Sequence, residues 1–239
     1  MSVAVRQAPA AKLPSASGGA SSSPINPSPR SSTGRPSRSA IRFPLTRSHD
    51  SPPESSPVGT RVLGPFTAAC RARAHPRCIY LHEPRLLDSG GGIANALAKR
   101  AIGPGPFFVV NGDSLWLDGA EPALHRLARA FDPRAMDAML LLLPTAAATG
   151  YAGRGDFSLD EAGRLAWPED EAGAPFVYIG VQVLHPRAFE RFGQGAYGLR
   201  EVWQVAIEDG RAFGLCHDGA WFHLSTPADL DVAENSVRS

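Results

Sequence analysis

The feature that most constrains this chain is a set of short stretches that are apolar at nearly every position, not at alternate ones. Residues 107–110, 137–143 and 176–184 lack the apolar–polar alternation of a strand with one wet face. Such strands belong inside a sheet covered on both sides, because both of their faces must leave water. Between them, 93–99, 122–130, 186–192 and 200–208 read as helices; in 122–130, Leu124, Leu127 and Ala128 share one face. Further strands are expected over 78–81, 213–216 and 221–224. Thr226 followed by Pro227 reads as the N-cap and first turn of a terminal helix. Strands alternating with helices predict an α/β fold with a largely parallel sheet, whose ligands sit at the carboxyl ends of its strands.

This pattern is confined to part of the chain. Residues 1–68 are dominated by Ser, Pro, Ala, Gly and Arg with almost no acid, and show no helical or strand periodicity. A segment of that composition buries too little apolar surface to offset its conformational entropy, so it is expected to be a disordered tail before a folded unit over 69–239. Three origins fit it: an Arg- and Ser-rich transit peptide, a solvated linker, or out-of-frame translation of a GC-rich gene. For the last, one GC-rich back-translation of 46–56, read one base earlier, gives an amphipathic helix running into a strand.

Charge and cysteine content exclude several classes. Lys plus Arg (24) nearly cancel Asp plus Glu (23), so no global basic field points to nucleic acid. No apolar run approaches the roughly 20 residues needed to span a bilayer. The three cysteines, Cys70, Cys78 and Cys216, are too few and too scattered for a disulfide framework or a cysteine-rich metal cluster, and fit a reducing, cytoplasmic setting.

Two features sit where an α/β sheet places its ligands. Gly90, Gly91 and Gly92 form a triplet ahead of a helix, where bare backbone can approach a flat ligand and free N–H groups can meet an anion. A flexible loop is the bland alternative. Asp113 ends the apolar strand 107–110 through Asn111 and Gly112, a placement suited to Mg²⁺, which binds through one or two carboxylates plus phosphates. Capping the next element is the alternative for this aspartate.

In order along the chain stand Leu-Asp-Ser-Gly-Gly-Gly at 87–92, Phe-Phe-Val-Val-Asn-Gly-Asp at 107–113, Gly-Arg-Gly-Asp-Phe at 153–157, Val-Leu-His-Pro at 183–186 and Gly-Ala-Trp-Phe-His-Leu at 219–224. This set, over about 69–236, resembles the sugar-1-phosphate nucleotidyltransferases, most of all the branch of mannose-1-phosphate guanylyltransferase-like and N-acetylmuramate-1-phosphate uridylyltransferase-like proteins. The resemblance implies a Rossmann-like mixed, mostly parallel sheet with helices on both faces, N-terminally incomplete. It also implies a reaction in which a sugar-phosphate oxygen attacks the α-phosphorus of a nucleoside triphosphate and releases pyrophosphate. Carried over, Ser89, Gly90, Gly91 and Gly92 would pack against the base and Asp113 would hold Mg²⁺, with Mn²⁺ an alternative. Asp156 would lie near the sugar pocket or serve a turn. Trp116 and Trp221 read as core aromatics.

The sequence departs from that family in three places. His223 stands where a second metal-binding carboxylate is usual, and imidazole suits softer ions than Mg²⁺; it is either an altered ligand or a structural histidine. Ser225 replaces a usual glycine. Before Cys78 there is no Gly-rich loop and no Lys-Pro pair of the kind that cradles the triphosphate, and the one lysine is Lys12. The expectation is therefore a weak or inactive transferase, with a non-catalytic nucleotide- or sugar-phosphate-binding module as the alternative.

Overall fold

The computed structural model describes residues 3–7, 79, 81–169, 173–224 and 226–238. Its main sheet is built on β2 (Phe107–Asn111), β4 (Ala138–Pro144), β7 (Phe176–Leu184) and β8 (Ala212–Cys216), with β1 (Val3–Gln7) on one edge, in the order β1-β2-β7-β4-β8. Strand β7 runs antiparallel to both β2 and β4, and β4 is parallel to β8. Strands β2, β4 and β8 thus share a direction and β1 and β7 run against them, so the sheet is mixed as expected. Among the described residues, however, only the β4–β8 pairing of this sheet is parallel, where a mostly parallel sheet was expected.

Burial explains why the strands lack alternation. Phe107, Val109, Leu140 and Leu142 pack on one face with α1 (Asp88–Ala98) and α3 (Leu199–Glu208), through Ile93, Val202 and Ala206. Phe108, Val110, Met139 and Leu141 pack on the other with α2 (Ala123–Ala130), through Ala123 and Leu127. Each buried Leu or Phe contributes about 1.5–3 kcal/mol, so both faces hold the sheet. A second, two-stranded sheet pairs β3 (Ser114–Leu117) with β9 (Ala220–His223), placing Trp116 opposite Trp221, both buried. A small hairpin joins β5 (Ser158–Leu159) to β6 (Leu165–Ala166). The last helix, α4 (Pro227–Arg238), starts as read: Asp229 N–H donates to Thr226 Oγ1, and Thr226 N–H donates to the Asp229 carboxylate.

Four further expectations need correction. Val3–Gln7 falls within the segment expected to be disordered, yet pairs antiparallel with β2 from Val3 opposite Asn111 to Gln7 opposite Phe107; the rest of that segment lies outside the described residues. The glycine triplet does not precede a helix but lies inside α1. The helix expected over 186–192 is a short 3-10 helix, Pro186–Phe189, opened by Arg187 N–H donating to His185 Nδ1. Of the strand expected over 78–81, Cys78 and Tyr80 lie outside the described residues, and Ile79 and Leu81 belong to no strand. No helix among the described residues is long and apolar enough to cross a membrane.

Candidate functional site

The strand Phe107–Asn111 is stopped by Gly112 and Asp113, which turn the chain into β3. This turn forms one wall of a cleft of about 220 Å³ at the carboxyl end of β2. Asp113, exposed, Asp156 and His223 all line it, together with Tyr151, Tyr178 and Trp221. His223 arrives through the β3–β9 pairing, which sets it opposite Ser114, the residue after Asp113. Asp156 arrives through a loop whose Asp156 N–H donates to Phe176 O and whose Asp156 carboxylate accepts the Tyr178 N–H at 2.8 Å. Three residues distant in sequence, all singled out from it, therefore meet in one place.

Gly180 makes the cleft possible. It sits in β7 at φ +81°, beside an irregularity in the β4–β7 register, and a Cβ there would collide with the Ser114 side chain. A left-handed conformation in a strand is open to glycine at little cost and to other residues only with strain.

The electrostatics of the cleft are tense. Burial raises the Asp156 carboxyl above its ordinary range, opposed by the Tyr178 N–H and the Arg200 charge. Burial, and then the Asp156 charge, push the Tyr151 phenol up. Tyr178 is raised strongly by burial and further by Asp113, while a hydrogen bond from Gln182 opposes this. Asn111 Oδ1 is buried at the rim without a hydrogen-bond partner among the described residues. Tyr151 packs edge-on to His223 with ring centres 5.8 Å apart, and Trp221 closes the cluster.

Ser89, Gly90, Gly91 and Gly92 are not brought to this cleft. Gly91 N–H donates to Tyr197 O at 3.0 Å, and Ser89 Oγ accepts the Leu199 N–H at the start of α3. A Cβ on Gly90 would stand 2.7 Å from Gly198 O, and one on Gly91 would collide with Gly195 O. The close approach that these glycines permit is used by the 195–198 loop. Sequence reasoning missed Tyr151, Tyr178 and Gln182; of these, Gln182 carried a signal, as the lone amide in the otherwise apolar strand Phe176–Leu184.

A larger cavity, about 460 Å³, lies at the opposite end of the sheet. Each arginine that lines it is paired with a carboxylate. Arg187 and Arg211 both bind Asp137, Arg191 binds Asp209 and Arg134 binds Asp132. The smaller cleft is the better site because its carboxylates are not neutralised in this way.

No family model matches the chain. It is 35% identical over 160 residues to N-acetylmuramate alpha-1-phosphate uridylyltransferase of Caulobacter vibrioides, covering 66% of this chain and 65% of that protein. The chain thus spans somewhat less than two thirds of that relative's length. Among solved structures, the inositol-1-phosphate CTP transferase from T. maritima is 19% identical, covers 74% of this chain and 71% of its own, and superposes with a TM-score of 0.51. A UDP-glucose pyrophosphorylase complexed with UDP-glucose is 16% identical, covers 67% and 65%, and has a TM-score of 0.52. These two structures share the fold of the described residues.

Proposed function

From a chain that over 160 residues is 35% identical to an N-acetylmuramate alpha-1-phosphate uridylyltransferase, we infer a protein built on that chemistry, the transfer of a nucleoside monophosphate from a triphosphate to a sugar 1-phosphate. The observation that carries this reading is the meeting of Asp113, Asp156 and His223 in one cleft at the carboxyl end of β2. The reaction asks little covalent chemistry of a protein; positioning and charge neutralisation supply the catalysis. Asp156 and the Tyr151–Trp221–His223 aromatic cluster suit a sugar, with polar edges and apolar faces. Asp113 is the proposed anchor for Mg²⁺ or Mn²⁺, with His223 beside it.

Among the described residues no three metal-ligating side chains are placed to hold an ion by themselves, so Asp113, Asp156 and His223 share a cleft without forming a metal cage. That donor set fits a cation that arrives with phosphate oxygens, as Mg²⁺ does, and not a resident metal cage. When bound there, such a cation would neutralise phosphate charge. The base-binding role of Ser89 to Gly92 is retained only as a proposal, since Ser89, Gly90 and Gly91 already contact residues 195–199 and Gly92 faces Glu83.

Turnover by this chain is expected to be weak or absent, because residues 1–77 contain no Gly-rich loop followed by Lys-Pro to neutralise a triphosphate. Loss of a single preorganised donor costs about 10²–10³ in rate. The second reading, a module that binds nucleotide or sugar phosphate without turnover, rests on that same absence.

The test combines pyrophosphate release with thermal stabilisation, using UTP or GTP, N-acetylmuramate 1-phosphate or mannose 1-phosphate, and Mg²⁺ or Mn²⁺. We expect metal-dependent stabilisation that disappears in Asp113→Ala, with little or no pyrophosphate. Robust pyrophosphate release would overturn the claim of weak turnover. Stabilisation that survives Asp113→Ala intact would remove Asp113 from the metal site. A complete lack of response to any of these ligands would sink the reading of the cleft.

A further inference from the structure

Behind the cleft runs a buried polar chain. Trp203 Nε1 donates to Gln182 Oε1 at 2.8 Å, and Gln182 Nε2 donates to the Tyr178 hydroxyl oxygen at 2.9 Å. Gln182 is fully buried in β7, and Trp203 comes from α3. The direction of this chain is fixed by chemistry. An indole N–H can only donate, so the amide must turn its oxygen to Trp203 and its NH₂ to Tyr178. The Tyr178 oxygen then accepts from Gln182, and its own proton must point elsewhere. Burying an amide is costly unless its polar atoms are satisfied, so an otherwise apolar strand keeps Gln182 only where both ends find partners. The ring of Trp203 also lies edge-on to Tyr178, with centres 5.0 Å apart, holding the phenol in place.

We propose that Gln182 and Trp203 are positioning residues that make the Tyr178 hydroxyl a one-way donor, so that the cleft selects a ligand bearing an oxygen acceptor at that point. This rests on reading the cleft as a sugar-phosphate site. An acceptor oxygen, whether a sugar ether, hydroxyl or phosphate, is favoured there, because a donor group would face the Tyr178 proton and leave both unsatisfied.

The experiment measures the affinity of the full chain for N-acetylmuramate 1-phosphate by calorimetry in Tyr178→Phe, Gln182→Glu and Trp203→Phe. The carboxylate introduced by Gln182→Glu would accept from both sides and draw the Tyr178 proton inward, and Trp203→Phe would free the amide to flip. Tyr178→Phe should weaken binding about tenfold, the worth of one neutral hydrogen bond. Gln182→Glu and Trp203→Phe should weaken it severalfold in the native background, yet change nothing further on top of Tyr178→Phe. Additive losses would show that they act merely on packing, and would overturn the proposal. Should Gln182→Glu fail to fold, the Trp203→Phe cycle decides alone. If the native chain binds no sugar phosphate, the reading of the cleft fails, and the relay is judged separately by NMR of the Gln182 side-chain amide. A slowly exchanging amide that becomes labile in Trp203→Phe upholds the relay. A labile amide in the native chain, or one unchanged by Trp203→Phe, refutes it.

Discussion

The two ends of the main sheet treat buried charge in opposite ways. At one end Asp137, 6% exposed, receives Arg187 through Nε and Nη2 and Arg211 through Nε, while the same arginines donate to the carbonyls of Pro133, Met136 and Arg134. At the other, the half-buried Asp156 accepts the Tyr178 N–H and is pushed by desolvation toward its neutral form, and Asn111 Oδ1 has no hydrogen-bond partner among the described residues. Gly180 there holds a left-handed backbone that another residue could adopt only with strain. One end satisfies its polar groups with protein; the other leaves them for something else. Unsatisfied groups and strained backbone persist where a ligand completes the site. That contrast, more than cavity size, separates the structural end from the candidate functional one.

The largest expected effect breaks the structural end. Asp137→Ala would leave Arg187 and Arg211 without their carboxylate, and removing one partner of a buried pair costs about 3–5 kcal/mol. Both guanidiniums are about a third exposed, 36% and 27%, so a loss of about 3 kcal/mol is expected, the low end of that range. It should appear as a lower urea midpoint at unchanged slope. A loss below about 1 kcal/mol would mean that this network behaves like an exposed pair.

The next tests the strain at the functional end. Gly180→Ala must adopt the positive φ and push aside Ser114, and a loss of about 2 kcal/mol is expected from backbone strain and clash combined. Unlike Asp137→Ala, it should also abolish ligand- or metal-dependent stabilisation. If binding survives it, the close approach of β7 to the 111–114 turn is not what shapes the cleft.

Much of this contrast was legible in the sequence. The strands Phe107–Asn111 and Phe176–Leu184 read correctly because burial on both faces leaves no alternation. The stripe of Leu124, Leu127 and Ala128 read correctly because α2 packs one face only. Asp113 stands out because a carboxylate straight after such a strand is a local pattern, and the fold places it on the cleft. The glycines at 90–92 were placed ahead of the helix and not in it, because sequence cannot say whether bare backbone faces a ligand or a loop a hundred residues away. Val3–Gln7 was passed over because five residues of weak alternation are lost in a proline- and serine-rich setting. Asp137 drew no attention, since its partners Arg187 and Arg211 are gathered only by the fold.

A smaller effect sharpens the proposed metal side of the cleft. His223→Asp replaces an imidazole with a hard anionic oxygen beside Asp113, and Mg²⁺ prefers such oxygens. Mg²⁺-dependent stabilisation should rise, by about 1 kcal/mol at fixed metal, equal to a roughly fivefold tighter site. An unchanged response to Mg²⁺ would leave His223 as a structural residue of the aromatic cluster.

The smallest effect concerns Asp156, and its sign separates the two ends. Because burial holds its folded-state carboxyl above the ordinary range, folding favours the protonated form. The stability this gives is fully present below about pH 4, the unfolded value, and is lost as pH rises through the folded one. At neutral pH the charged Asp156 is therefore a burden on the fold. Asp156→Asn keeps an oxygen to accept the Tyr178 N–H and removes the charge. It should stabilise the protein at pH 7 by some tenths of a kcal/mol, a small figure because the group is only partly buried. The gain should fade on acidification and vanish below about pH 4, where the native aspartate is itself neutral. Urea midpoints of both proteins at pH 7 and pH 4 measure this directly. A destabilised Asp156→Asn at pH 7 would mean that the carboxylate supports the loop as Asp137 supports the other end. A stabilised variant that also binds sugar phosphate less tightly would show that the charge is kept at the expense of stability, for a ligand.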